Sequence, residues 1–283
     1  MVLESLTNPF LAEKKPFRLF WLGLVYSSIG IYLAQLVFSA YASLVAVFFT
    51  VMVCVPLMYN TLKFEEHKDL EINEERTLLK EHAKALWFFI VLFLGMVVSF
   101  SLWYVVLPES TISAVFSVQT QTISSINNKA VGHFLDGLPV FSNIFFNNMR
   151  VLVFCILFSF VYGAGAIFIL TWNASVIGVA IGNIIREEMA KAASLLGMAK
   201  VATYLNIVSY GLLRYALHGI PEITAYFVGG LAGGIISVAV VKHHITTKRF
   251  SAIVLDSTEL LALSVLILVV AAVLEVYVTP VLF

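Results

Sequence analysis

The run LLRYALHGIPEITAYFVGGLAGG, residues 212–234, sets Arg214, His218 and Glu222 at four-residue intervals in one of the most apolar parts of the chain. On an uninterrupted helix, residues four apart share a face. A guanidinium, an imidazole and a carboxylate on one face could pair charges or ligate a metal. The metal option is poor, because Pro221 removes a backbone donor and disfavours helix in the residue before it, which spoils the His218–Glu222 spacing. No third ligand stands near in sequence. Charge pairing is the better reading, and it needs further members. Arg150 falls at the start of an apolar helix, where the macrodipole disfavours a cation, so it calls for an acid. Glu275 lies near the far end of the last apolar run and has no basic neighbour in sequence. The expected network places Arg150 and Arg214 against Glu222 and Glu275, with His218 between them and Glu222 held by an arginine.

Other chemistries lack their residues. There is no H-E-x-x-H zinc helix, no G-x-S-x-G elbow and no phosphate-binding loop. The stretch REEMAKA (186–192) has paired glutamates without the basic residue and histidines that an intramembrane protease would set beside them. His243–His244, next to Lys242, reads as a headgroup contact. No catalytic residue, cofactor or metal site is assigned, and the chain reads as a non-enzyme.

The elements that must carry these residues are set by the solvent. With 60% hydrophobic and 12% charged residues, the chain is far more apolar than soluble domains. It reads as an all-α, polytopic membrane protein whose first partners are lipids. Its 17 basic and 17 acidic residues balance, which excludes a nucleic-acid surface. Cys54 and Cys155 lie within apolar runs and read as small hydrophobes. About seven runs approach the ~20 residues needed to span a bilayer: Phe17–Phe38, Tyr41–Tyr59, Leu86–Leu107, Met149–Trp172, Ala202–Leu217, Ile223–Val241 and Ala252–Val278. Ala174–Ile185 is short for a crossing and follows Asn173, which suits a re-entrant piece; the alternative is that it spans, which would invert everything from Arg186 onward. Residues 1–61 form an N-terminal two-helix hairpin, 62–85 a charged cytoplasmic segment with a solvated helical face, and 86–283 a larger membrane domain. The polar loop 108–148, dotted with phenylalanine, predicts one or two amphipathic helices lying on the outer surface. Lysine and arginine concentrate in cytoplasmic loops. A cytoplasmic N-terminus collects most of them, Arg186 and Lys191 included, and puts the C-terminus outside.

Three blocks in order, IFFNNMRVLVF (144–154), WNASVIGVAIG (172–182) and LHGIPEITAYFVGGLAGG (217–234), resemble the stage II sporulation protein M family of integral membrane proteins. Asn147, Asn148, Asn173, Gly178, His218, Gly219 and Glu222 occupy the family's pattern positions, while Ala174 stands where glycine is usual. The resemblance covers roughly residues 86–283 and leaves out the N-terminal hairpin. It implies a membrane scaffold that holds partner proteins. Because relatives occur in organisms that do not sporulate, the process itself does not carry over.

Small residues recur every four positions in two runs, with Gly229 and Gly233 in one and Gly178 and Gly182 in the other. Such stripes let membrane helices approach closely, and the two are expected to pack on one another, though a second copy of the chain could supply the partner surface instead. Gly219 and Pro221, like Asn173, are expected to break the helix, leaving a bend near the outer boundary. Two classes of function follow: a non-catalytic scaffold or assembly protein that organises unknown membrane or outer-face partners, or a permease subunit of a transport or export system. Broken helices and buried charges would suit the second. No convincing inverted repeat is found, which tilts the reading to the scaffold.

Overall fold

The computed structural model describes residues 16–72, 74–130, 137–162, 165–191, 197–242 and 247–282. In hydrocarbon, every backbone N–H and C=O must be satisfied within its own segment, so an apolar chain of this kind folds into helices. Those present are α1 (Phe17–Val37), α2 (Ala42–Glu71), α3 (Glu75–Val106), α4 (Glu109–Val115), α5 (Ser117–Ala130), α6 (Gly137–Tyr162), α7 (Ala166–Lys191), α8 (Gly197–Lys242), α9 (Lys248–Val273) and α10 (Thr279–Leu282). A 3₁₀ turn, Ser39–Tyr41, joins α1 to α2, and a π-helical turn, Leu274–Val278, joins α9 to α10. Among the described residues there is no strand, and seven helices are long and apolar enough to cross a membrane.

The spans depart from the sequence reading in two places. The expected Met149–Trp172 span is divided between α6, ending at Tyr162, and α7, starting at Ala166. The Phe158 carbonyl comes so close to Gly165 that a Cβ there would collide with it. Asn173 is therefore in mid-helix, donating to the Ile169 carbonyl at 2.8 Å, and Ala174–Ile185 is the middle of a full crossing rather than a re-entrant piece. The second difference is that α8 runs unbroken through Gly219 and Pro221, with Pro221 inside the helix. Proline is tolerated within membrane helices because an open bend in lipid would leave carbonyls unsatisfied. Thr224 donates to the Ile220 carbonyl at 2.7 Å beside it. Ala202–Leu217 and Ile223–Val241 thus belong to one helix, whose crossing portion is Ala216–Val241.

Close backbone approaches fix the helix order. α1 and α3 run parallel: a Cβ on Gly23 would strike the Leu92 carbonyl, and one on Gly95 the Phe20 carbonyl. Above this contact Trp103 donates to Ser28 at 2.9 Å, and Ser28 bonds Ser99 at 2.9 Å. α3 also lies parallel to α7, where a Cβ on Gly178 would be 2.7 Å from Phe100 Cβ and one on Gly182 2.9 Å from Tyr104 Cβ. α6 packs on α8, with a Cβ on Gly229 falling 2.5 Å from Leu152 Cδ1 and one on Gly233 2.7 Å from the Ile156 carbonyl. Both glycine stripes therefore pack closely, but on α3 and α6 respectively, not on one another. Large residues fill the core between them, Phe88, Phe89, Phe100 and Phe227 among the most buried. Leu231 belongs to this core as well and does not face lipid.

α4 and the first turn of α5 dock against the end of the bundle. Ile112, Val115 and Phe116 are buried, and Gln119 enters a polar joint between α2 and α7. Its amide accepts from the Ser43 hydroxyl at 2.6 Å and donates to Ser175 at 3.2 Å.

Candidate functional site

Three polar clusters break the apolar bundle. The first is at the hairpin tip of α2 and α3, where Glu65 is fully buried. One of its oxygens takes Lys68 at 2.8 Å and the other His82 Nδ1 at 2.7 Å, while Lys68 also reaches Glu81 at 3.7 Å. The charged segment 62–85 is therefore not merely a solvated face. Its helices continue the spans, so the side chains on the bundle side are buried with them, and a buried ion needs partners.

At the opposite end of the bundle, Arg186 on α7 donates to the carbonyls of Tyr104 and Leu107 at 3.2 and 3.0 Å and pairs with Glu109 at 3.0 Å. The last carbonyls of a helix lack intrahelical donors and carry the negative end of the dipole, so a guanidinium closes α3 well. Asn183 accepts from the Tyr104 hydroxyl at 3.1 Å and donates to Glu187 at 2.6 Å. Because α7 crosses fully, Arg186 and Lys191 stand at this end of the bundle, with α4 and α5, and not with the Glu65 cluster as the charge-derived topology has them.

The third cluster lies within the spans, on α8 and the π turn, and holds most of the residues expected to act together. Tyr226, fully buried, donates its hydroxyl to Glu222 at 2.6 Å. Glu275 is near enough to Glu222 for the two carboxyls to interact electrostatically. His218 Nδ1 is 3.2 Å from the Thr279 hydroxyl, which itself donates to the Leu274 carbonyl at 3.0 Å. With the threonine proton committed there, the imidazole is the donor. Thr279 also sends its backbone N–H to the Leu274 carbonyl, five residues back. The π turn, which contains Glu275, ends just before Pro280, which has no N–H to continue the ladder. Gly234 packs beside Leu62, one residue from Lys63. Glu222 is twelve residues earlier on α8, roughly 18 Å from that level at the helical rise. Both carboxyls fall within segments long and apolar enough to cross a membrane, Ala216–Val241 and Phe250–Leu282.

Arg150 is not the partner of these acids: it is exposed on α6, and among the described residues it makes no ion pair with Glu222 or Glu275. The edge of α6 that faces α8 carries Asn148, Leu152, Cys155 and Ser159 instead. Arg214 is on α8, but its side chain lies outside the described part of the structure. The hydroxyl of Tyr226, which the sequence reading passed over, is a donor to Glu222. Its place one helical turn after Glu222 was the available signal. Chemically, two carboxyls, a phenol and an imidazole can hold or pass one positive charge. Among the described residues, no group of three or more His, Cys, Asp or Glu side chains is arranged to hold a metal.

An all-α bundle of seven apolar helices with ionisable groups inside it defines a polytopic integral membrane protein. Residues 85–280 match the family model for Stage II sporulation protein M. The chain belongs to that family. It is similar to the uncharacterised protein MJ0793 of Methanocaldococcus jannaschii, with 26% identity over 168 residues, covering 58% of this chain and 84% of the relative. No solved structure matches the chain.

Proposed function

We propose that the chain is a non-catalytic assembly protein that organises partner proteins in the cell membrane. One observation carries this reading. Backbone-level contacts tie α1 to α3, α3 to α7 and α6 to α8, at Gly23 and Gly95, Gly178 and Gly233. Helices that meet at backbone distance have no side-chain layer in which to slide, so the bundle suits a rigid platform better than two bodies rocking about a substrate. The Glu65 cluster and the Arg186 cluster add fixed polar features at its two ends. We take the N-terminus as cytoplasmic and the C-terminus as outside, with bilayer lipid around the seven spans.

The permease reading is favoured by a different observation, the Glu222–Tyr226–Glu275 cluster. Ionisable groups inside the membrane are expensive and mark ion or substrate pathways in transporters. Purification of the tagged chain in mild detergent, followed by mass spectrometry and by flux measurements in proteoliposomes, separates the two. Stoichiometric partner proteins without flux are expected. A co-purifying ATPase, or solute flux lost on Glu222→Gln, would put the permease first.

A further inference from the structure

The edge of α6 turned away from α8 carries more polar groups than a lipid-facing surface requires. Asn143, Asn147, Arg150, Phe154, Leu157 and Val161 are all exposed. Their spacing of 4, 3, 4, 3 and 4 residues follows the 3.6-residue turn, so they form one continuous seam along the helix. Phenylalanine, leucine and valine at such positions are as content in lipid as in protein. Arg150 is not.

Depth counts against a simple escape to water. The part of α6 long and apolar enough to cross is Leu138–Val161. Arg150 is twelve residues from its start and eleven from its end, roughly 17 Å from either at the helical rise. Among the described residues it has neither an ion pair nor a hydrogen bond, and Asn143 and Asn147 along the same seam have none either. Interhelical amides are a usual means of fixing membrane helices to one another.

We propose that this seam of α6 docks a membrane-spanning helix of another protein, one that carries an aspartate or glutamate opposite Arg150. The inference rests on the assembly reading and supplies the chemistry of the partner. A second copy of the chain is a poor fit, since within the spans Glu222 is engaged by its own Tyr226, Glu275 sits in the same buried cluster, Asp256 and Glu259 already have partners, and Glu109 and Glu187 are at the bundle's end.

The test uses the tagged full chain in its native membranes, extracted in mild detergent, as wild type, Arg150→Leu and Arg150→Lys. Wild type should recover a membrane protein with an acidic residue inside a span. Arg150→Leu should recover at least about thirtyfold less, the loss expected when one member of a desolvated charge pair is removed, and Arg150→Lys should keep most of it. Reversing both charges, Arg150→Glu against an arginine at the partner's acid, should restore recovery. Arg150→Leu touches no packed neighbour, so an unchanged elution profile and melting midpoint show that it is folded. Partners retained by Arg150→Leu would overturn this interface and leave the assembly reading standing. Wild type recovered alone would overturn both. Loss of a bound anionic phospholipid from Arg150→Leu, with protein partners unchanged, would assign the arginine to a headgroup and overturn the proposal.

Discussion

Two glycines on one helix make a matched experiment. Gly233 and Gly219 both lie within α8, so replacing either by alanine brings the same gain in helix propensity, up to about 1 kcal/mol. Their surroundings differ. A Cβ on Gly233 would fall 2.7 Å from the Ile156 carbonyl oxygen and 3.3 Å from Ile156 Cα, both backbone atoms that no rotamer change can move. Restoring ordinary contact needs a separation of about 0.7 Å between α6 and α8, enough to forfeit roughly a quarter to a half of the dispersion energy of the atoms involved. A Cβ on Gly219 meets nothing within 4 Å. The common propensity term cancels, and the difference between the variants should be the overpacking cost, about 1–3 kcal/mol. In thermal or denaturant unfolding in mild detergent, Gly219→Ala should melt at or above wild type and Gly233→Ala below it. Coincident midpoints would refute the close α6–α8 contact. A lower midpoint for Gly219→Ala would show that the chain bends there after all.

Other substitutions probe the polar clusters and the path of the chain. Glu65→Gln leaves Lys68 poorly compensated in a buried site and should cost about 3 kcal/mol, whereas Lys63→Ala on the exposed side should be near neutral in the same unfolding assay. Tyr226→Phe strips Glu222 of its 2.6 Å donor and should cost about 1–3 kcal/mol; an unchanged midpoint would mean that another group takes over. In a background lacking Cys54 and Cys155, single cysteines at Thr120 and Lys191 should react alike with an impermeant reagent on intact cells, and one at Lys63 oppositely. Labelling of 191 together with 63 would show that α7 does not cross.

The all-α architecture, the number of crossings and the family were legible because they depend on composition and on short blocks of named residues. Boundaries were not. No charged residue stands between Tyr162 and Ala166, so a hydropathy window reads through the boundary of α6 and α7 and merges half of each. Pro221 misled in the other direction, since a rule learned in water overstates what proline does in lipid, where the alternative to a helix is worse. The glycine stripes announced close packing but not with which helix, because a four-residue repeat says nothing of the partner. Of the expected charge network, Glu222, Glu275 and His218 do gather near the π turn. Arg150 does not, because helical depth is readable from sequence while the direction a residue faces depends on how α6 is rotated against α8. The buried Glu65 cluster was missed for a similar reason, as a charged run looks solvated until the helix bearing it is known to stay packed.

The parallel pairing of α1 with α3 also sets a clock. Gly95 meets Phe20 across 75 positions of chain, and at about 5–20 residues per second the ribosome needs roughly 4–15 s to make them. For that interval α1 can close only on α2, where a Cβ on Gly30 would be 2.8 Å from the Ala46 carbonyl. Ser28 meanwhile waits in the bilayer for Ser99 and Trp103. The N-terminal hairpin, which lies outside the family segment, is therefore the first part to settle and the surface on which the family segment begins to assemble.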